Sequence, residues 1–434
     1  MLNVRRKCEM IKLEEKIVSI SFLKKIYIAM MVLMPIINQY MILGWTFTML
    51  FSALGIVLLI FNYHKCAKRH IWYGVLAYLF YVTLSLLAHA IILDTGLATL
   101  LLRLLNLTFT IVHFFVVAPV LFDYEYGYEF YTKVVIVLSI IILVQYIQFF
   151  ISGRATKLII PGVALNYNNI SDSSELISNA LKRAQSSNYF RPSSLFLEPA
   201  YFAQYVLPWL YLTLSKGYTN GKMAIIAAFV TLPTLLTASS LAIGGSVIIW
   251  VIFGLKLASD TKNRFNYGAF FAIVFILFIV WYAMNDVTVQ TSLLIKLRSL
   301  YAIEFKSSSL SVRLLRGWEC FKQFKPLDKI FGCGYGNVSH YLSVNHIFTI
   351  YDTNMGDLSY MNGISTMVCS LGIVGTLVYI HFFIVGIFKA GRQSRYLILI
   401  WVILMLTTAV YDSAIYFLIL VFALVDERSV PAEE

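Results

Sequence analysis

Charge is scarce in this chain: Asp, Glu, Lys and Arg make up 13% of its 434 residues, against 59% hydrophobic, and the mean hydropathy is +0.78. Soluble domains carry about 25% charged residues, so an ordinary soluble globule is excluded. Metal and redox spacings are missing as well. The five cysteines form no CxxC pair and no Cys/His ligand pattern, and no carboxylate cluster marks a cation site. Cys320 and Cys333 fall in one loop and could bridge or remain free thiols. Nucleotide motifs are absent too. Gly332-Cys-Gly-Tyr-Gly-Asn337 neither follows a βαβ strand nor opens an evident helix, and reads as a tight glycine turn. Gly217-Tyr-Thr-Asn-Gly-Lys222 is too short and wrongly ended for a P-loop. No cofactor and no metal are therefore expected, and the energy for any reaction resides in the substrate or in an ion gradient. No internal repeat is visible, which weighs against duplicated transporter folds. The first apolar run lacks the short core and small-residue site of a cleavable signal peptide.

What the chain does have is long apolar runs. Candidate spans cover 26–43, 45–62, 71–92, 97–121, 132–152, 196–215, 223–239, 241–258, 267–284, 361–388, 396–411 and 413–426, about 12 in all. They run close to twenty residues without period-2 alternation, so helices rather than a barrel are predicted. The 32 Phe, 28 Tyr and 7 Trp suit helix ends at lipid–water interfaces. The expected fold class is all-α, a polytopic transmembrane bundle forming a single domain over 26–434 after a cytoplasmic segment, 1–25, whose Cys8–Lys16 stretch reads as a solvated or interfacial helix. Basic connections at Lys65–Arg69, Lys216–Lys222, Lys256–Arg264 and Lys389–Arg395 fall on the side of the basic N-terminus, which places both termini in the cytoplasm. The acidic stretch Asp123–Glu129 breaks that trend, but acidic residues count little in the rule. The two long connections, 153–195 and 285–360, then lie outside.

Those outer loops hold an excess of cations against the positive-inside trend: Arg154, Lys157, Lys182, Arg183 and Arg191 in one, and Lys296, Arg298, Lys306, Arg313, Arg316, Lys322, Lys325 and Lys329 in the other. An anionic partner is implied, either lipid headgroups of the bilayer or a phosphorylated substrate, with no nucleic acid expected. Arg313 and Arg316, at i and i+3 in an apolar and basic helical pattern, share a face. Two guanidinium forks there could clamp a diphosphate, or simply snorkel from an amphipathic helix lying on the membrane. Arg103, inside a span with Asn106 one turn on, is either a binding residue or a structural partner to a carbonyl or carboxylate. Glu198 precedes Pro199 and either starts a helix or serves as a general base and an orienter of Arg191. His340 and His346 could move protons or be ordinary loop histidines, whereas His89, His113 and His381 sit in spans and are expected to be hydrogen-bonded inside the bundle.

The runs Arg191-Pro-Ser-Ser-Leu-Phe-Leu-Glu-Pro199, Ser311-Val-Arg-Leu-Leu-Arg-Gly-Trp318, Phe331-Gly-Cys-Gly-Tyr-Gly-Asn337, Asn362-Gly-Ile-Ser-Thr366 and Leu371-Gly-Ile-Val-Gly375 resemble the Wzy-type O-antigen and capsular polysaccharide polymerases. The resemblance covers mainly 190–380; earlier spans match in hydropathy only. It implies a GT-C-type fold and a glycosyltransferase that joins undecaprenyl-diphosphate-linked oligosaccharide repeat units at the outer face of the bacterial cytoplasmic membrane. It also implies that the loop arginines Arg191, Arg313 and Arg316 are functional; on that footing they are expected to act on the diphosphate, with Glu198 activating or orienting the acceptor hydroxyl and His346 or His340 as the fallback base. Arg103, His340, Tyr335 and Asn337 are the expected substrate-binding residues. A polysaccharide chain-length regulator is a further partner that the resemblance leaves open. The rival readings are an O-antigen ligase acting on lipid A-core, which a catalytic histidine in the second loop would favour, and a lipid-linked glycan transporter or flippase, which would need midspan charge. A non-catalytic membrane scaffold stands behind both.

Overall fold

The computed structural model describes residues 22–42, 45–61, 69–92, 96–159, 190–217, 220–259, 309–352, 361–388, 392–407 and 414–425. Outside these lie most of the N-terminal segment, the Asn166–Ser174 stretch, span 267–284, and the cations Lys182, Arg183, Lys296, Arg298 and Lys306. The chain is helical, as its apolar runs predict. In order come α1 (residues 22–37), α2 (Phe47–Phe61), α3 (Arg69–Ile92), α4 (Leu97–Val112), a π-helical stretch (His113–Val117), α5 (Ala118–Leu121) and α6 (Tyr124–Ser152). Then follow α7 (Pro199–Gly217), α8 (Gly221–Leu236), α9 (Ser240–Ser259), α10 (Ser309–Lys322), α11 (Pro326–Phe331), α12 (Val338–Val344), α13 (Gly363–Phe388), α14 (Arg392–Thr407) and α15 (Ala414–Leu424). The described strands are two residues each: Met41–Ile42 pairs antiparallel with Trp45–Thr46 in a small hairpin between α1 and α2.

Each candidate span other than 267–284 coincides with one of these helices. Three are long and apolar enough to cross a membrane: Ala98–Val117, Tyr124–Ser152 and Gly363–His381. Shorter apolar helices run over Phe47–Leu58, Tyr73–His89, Gly221–Leu236, Leu241–Leu257 and Ala414–Leu424. Many turn large apolar side chains outward, among them Leu76, Phe80, Leu84, Val137 and Ile147, an arrangement that fits lipid and not water.

Local chemistry sets the helix ends. Asp123 caps α6 by accepting from the Tyr126 amide at 3.0 Å, and α6 ends at Gly153 with φ 63°. Asn220 caps α8 in the same way through Lys222. Pro199 opens α7, where its missing amide costs nothing, and the Glu198 carbonyl accepts from Tyr201 and Phe202.

Side-chain pairings fix the direction of packing. Tyr131 donates to the Tyr205 carbonyl, Tyr128 to Thr213 at 3.0 Å and Trp209 to Thr132 at 2.9 Å, so α6 and α7 run antiparallel. Tyr81 reaches the Leu371 carbonyl at 2.6 Å while the Tyr78 ring packs on Tyr379, so α3 and α13 are antiparallel too. Low in the bundle, buried His113 meets the Tyr27 hydroxyl at 3.1 Å and its ring fills the space over Gly55. With these pairings in place, the C-terminal ends of α1, α3, α6 and α8 meet the starts of α4, α7 and α13 at one end of the bundle. The described residues of the first long loop next to α6 and α7, and those just before α13, lie there.

Two expectations change. Helix α10 does not lie apart on a membrane surface: it packs against α13 and α14, and a Cβ on Gly317 would sit 2.0 Å from Ser365 Oγ. Its buried side, Val312, Arg316, Gly317 and Cys320, is a helical stripe that needed a protein partner. His381, expected inside the bundle, is exposed.

Candidate functional site

The loop-bearing end holds three groups of polar residues. The first is the segment Phe190–Glu198 leading into α7. Two buried glutamines hold its backbone. Gln39, just past α1, donates to the Leu195 carbonyl at 2.6 Å and accepts from the Leu197 amide at 3.0 Å. Gln145, in α6, accepts from the Ser194 amide at 3.0 Å and donates to the Thr156 carbonyl at 3.2 Å. Ser194 has φ 54°, a left-handed conformation uncommon for serine, and its hydroxyl donates to the Leu138 carbonyl at 3.0 Å. Amide side chains suit this task because they offer a donor and an acceptor without charge. Each satisfies backbone groups that burial would otherwise leave unpaired.

The segment delivers Arg191 and Glu198, both half-buried. Arg191 Nε donates to the Thr237 carbonyl at the end of α8, at 3.4 Å. Lys157 joins them from the stretch after α6, its Nζ 2.5 Å from the Leu197 carbonyl. Burial lowers the Lys157 ammonium from its usual range; the Glu198 carboxylate opposes this and the Arg191 guanidinium adds to it. Two cations and one carboxylate therefore feel one another here.

The second group centres on α10. Arg316 is fully buried and its Nε donates to Asp352 Oδ1 at 2.6 Å. Asp352 Oδ2 accepts from the Thr349 amide at 2.5 Å and its hydroxyl at 2.9 Å. At that depth Arg316 does not snorkel, and the Asp352 carboxylate compensates its charge. Arg313, half-buried, lies beside the start of α13. There Asn362 caps the helix by accepting from the Ser365 amide at 2.8 Å and donates to the Arg313 carbonyl at 2.8 Å.

The third group is the glycine turn. Gly332, Gly334 and Gly336 have φ of 79°, 89° and 72°. The Cys333 and Gly334 amides donate to the Cys369 and Ser370 carbonyls at 2.9 and 3.0 Å, where α13 is interrupted at Gly372, φ 67°. A Cβ on either Gly332 or Gly372 would come within 2.3 Å of the other strand's backbone. The Asn337 amide returns to the Gly334 carbonyl at 3.1 Å with Gly336 in the left-handed position, a type II turn. Tyr335 sits half-buried at its tip, and Arg103 Nη1 donates to Asn337 Oδ1. Arg103 lies early in α4, at the loop-bearing end, rather than mid-span. Its partner is an uncharged amide, so its charge is not cancelled by that contact.

His340 and His346 are both exposed. His346 has φ 51° and ends α12: its amide donates to the Ser343 carbonyl at 3.2 Å, and the Ile347 amide to the Leu342 carbonyl at 2.9 Å. Cys320, Cys333 and Cys369 are free thiols buried in one apolar cluster, so Cys320 and Cys333 are not bridged. Burial pushes the Cys320 thiol up to about 11, the nearby Arg316 opposing it, and raises Cys333 further. Among the described residues no group of His, Cys, Asp and Glu could hold a metal ion.

Several contributors carry no motif: Gln39, Gln145, Asp328 and Asp352. The glutamines could have been found as amides inside apolar runs, where a polar side chain requires a partner. Asp352 gave no such signal, since its partner is thirty-six positions away.

No protein-family model matches the chain, and no curated protein matches it.

Proposed function

We propose that the protein is a Wzy-type polysaccharide polymerase, a GT-C-type glycosyltransferase of about 12 spans in the bacterial cytoplasmic membrane, with both termini cytoplasmic. The observation that supports this best is the gathering of Arg103, Arg191, Lys157 and Arg313 with Glu198 at one end of a helical bundle whose outer surface is apolar. A lipid-linked substrate needs such a pairing: an apolar flank for its polyprenyl chain and cations for its diphosphate.

In this reading the nonreducing-end hydroxyl of one undecaprenyl-diphosphate-linked repeat unit attacks the anomeric carbon of the growing chain on a second lipid. The new glycosidic C–O bond forms as the anomeric C–O bond to the diphosphate breaks. The hydroxyl proton passes to Glu198, and undecaprenyl diphosphate leaves with the electron pair. Arg191 and Arg313 stabilise the charge developing on the leaving group, each by about 3–4 kcal/mol in the transition state. Arg103 and Tyr335 line the approach from the glycine turn. Arg316 acts through Asp352 by holding α10, and so Arg313, in place. His346 and His340, being exposed, remain in reserve for the base role, and a ligase that uses one of them is the second reading. Arg103 near a helix end removes the midspan charge that a transporter would need.

The test is the surface-polysaccharide gel profile of a deletion strain complemented with wild type, Arg191→Lys or Arg313→Lys. A ladder restored by wild type and collapsed to single repeat units by the lysine variants, with protein levels unchanged, is the expected result. Long polymer retained on undecaprenyl diphosphate and missing from lipid A-core would make the protein a ligase. An unchanged ladder in the deletion strain would overturn both.

A further inference from the structure

We infer that His89 and Asp328 share a proton and, with Tyr341, act as positioning residues for Arg103, fastening the glycine turn to α3 and α4. His89 is buried near the end of α3, with Nδ1 2.9 Å from the Ser85 carbonyl oxygen. A carbonyl only accepts, so Nδ1 carries hydrogen. Nε2 of the same ring faces Asp328 Oδ1 at 3.4 Å, with the two side chains only 6% and 16% exposed. In an imidazole protonated at Nδ1 alone, Nε2 is a lone pair, here set against a carboxylate lone pair out of water. That contact is repulsive. One added proton, on Nε2 or on Oδ1, makes it a hydrogen bond and leaves the pair without net charge.

Asp328 Oδ2 accepts from the Tyr341 hydroxyl at 2.5 Å, which fixes the carboxylate plane. Burial and that hydrogen bond hold the Tyr341 phenol well above its usual range, so it remains a donor. Among the described residues, Arg103 from α4, Cys333 and Tyr335 in the turn, and Cys369 from α13 lie around the pair.

The triad brackets the turn. Asp328 precedes it and its carbonyl accepts from the Gly332 amide at 2.8 Å; Tyr341 follows it and donates its amide to the Asn337 carbonyl at 2.8 Å. His89 lies under Gly334, its Cβ 3.5 Å from where a glycine-replacing Cβ would be. Asn337, between these anchors, is the residue that meets Arg103. Without that proton the pair would carry one uncompensated negative charge, α11 and α12 would part from α3, and the Arg103 side chain would lose its orienting amide. The assignment of Arg103 to substrate rests on the polymerase reading; the shared proton does not.

The test uses the full chain in lipid nanodiscs, labelled with 15N-histidine. The seven histidines give a small set of signals, and the one lost in His89→Gln is assigned. The expected result is a His89 ring whose Nε2 shares a proton, with that signature absent in Asp328→Asn. At a single fixed pH, maleimide labelling of buried Cys333, located by peptide mapping, should run about tenfold faster in His89→Gln and Asp328→Asn than in wild type. An Nε2 bare in the wild type, or Cys333 labelling unchanged in both variants, would overturn the proposal. The first of these readings needs no variant to fold. Failure of the polymerase reading shows separately, as an unchanged polysaccharide ladder alongside intact spectra and labelling rates.

Discussion

The Phe190–Glu198 segment and the Ser309–Asp352 region lie at the same end of the bundle but are fastened by opposite means. The first is held by neutral amides: Gln39 and Gln145 take up its backbone groups without adding charge of their own. The second is held by side chains of opposite acid–base type set against one another, Arg316 on Asp352 and His89 facing Asp328. Cation count alone therefore misjudges the two loops. The second is richer in arginine and lysine, yet the fully buried Arg316 is paired with a carboxylate of the same loop.

Breaking the charged fastening should have the largest effect. Asp352→Ala leaves buried Arg316 without its carboxylate and should cost about 3–5 kcal/mol, measured as a shift in unfolding midpoint in detergent. A variant as stable as wild type would show that Arg316 finds other compensation and that the contrast is overdrawn. Next comes the backbone contact that docks the glycine turn: Gly372→Ala puts a methyl group into the Gly332 amide and strains a φ of 67°, at a cost of about 1–3 kcal/mol or more. The unfolding curve should shift and Cys333 should become open to thiol reagents.

The neutral fastening should respond less in stability and more in activity. Gln145→Ala strands the Ser194 amide, for about 1–3 kcal/mol, while Gln145→Glu keeps an acceptor for that amide but removes the donor to Thr156. Both should shorten the polysaccharide ladder by displacing Arg191 and Glu198, with protein still present in the membrane fraction. A normal ladder would mean that the segment does not need its staples. The smallest effect belongs to the exposed pair Lys322 and Glu319, 2.7 Å apart with side chains 69% and 43% exposed. Lys322→Ala should change stability by under about 0.5 kcal/mol, since solvent screens such pairs. A larger loss would show that α10 depends on its outer face as well.

Much of the frame was legible in the residue order. Apolar runs marked the helices, Glu198-Pro199 marked a helix start, and the alternating glycines of 332–336 marked a turn, because hydrophobicity and allowed backbone angles are local properties. The helix on which Arg313 and Arg316 lie was readable from its spacing, but its environment was not. An apolar stripe that includes an arginine reads equally as membrane-facing or protein-facing until its neighbours are known.

The sequence by itself determined that this is a helical, apolar, cation-bearing chain with no nucleotide motif and no metal-ligand spacing, since composition and periodicity are carried residue by residue. Only the tertiary structure decided which charges are spent on each other. That Arg316 meets Asp352, that Arg103 meets Asn337 across 234 positions, and that His89 meets Asp328 across 239 depends on which helix ends come together. The strength of each such pair is set by how far the fold removes it from water, a property that no stretch of sequence carries alone.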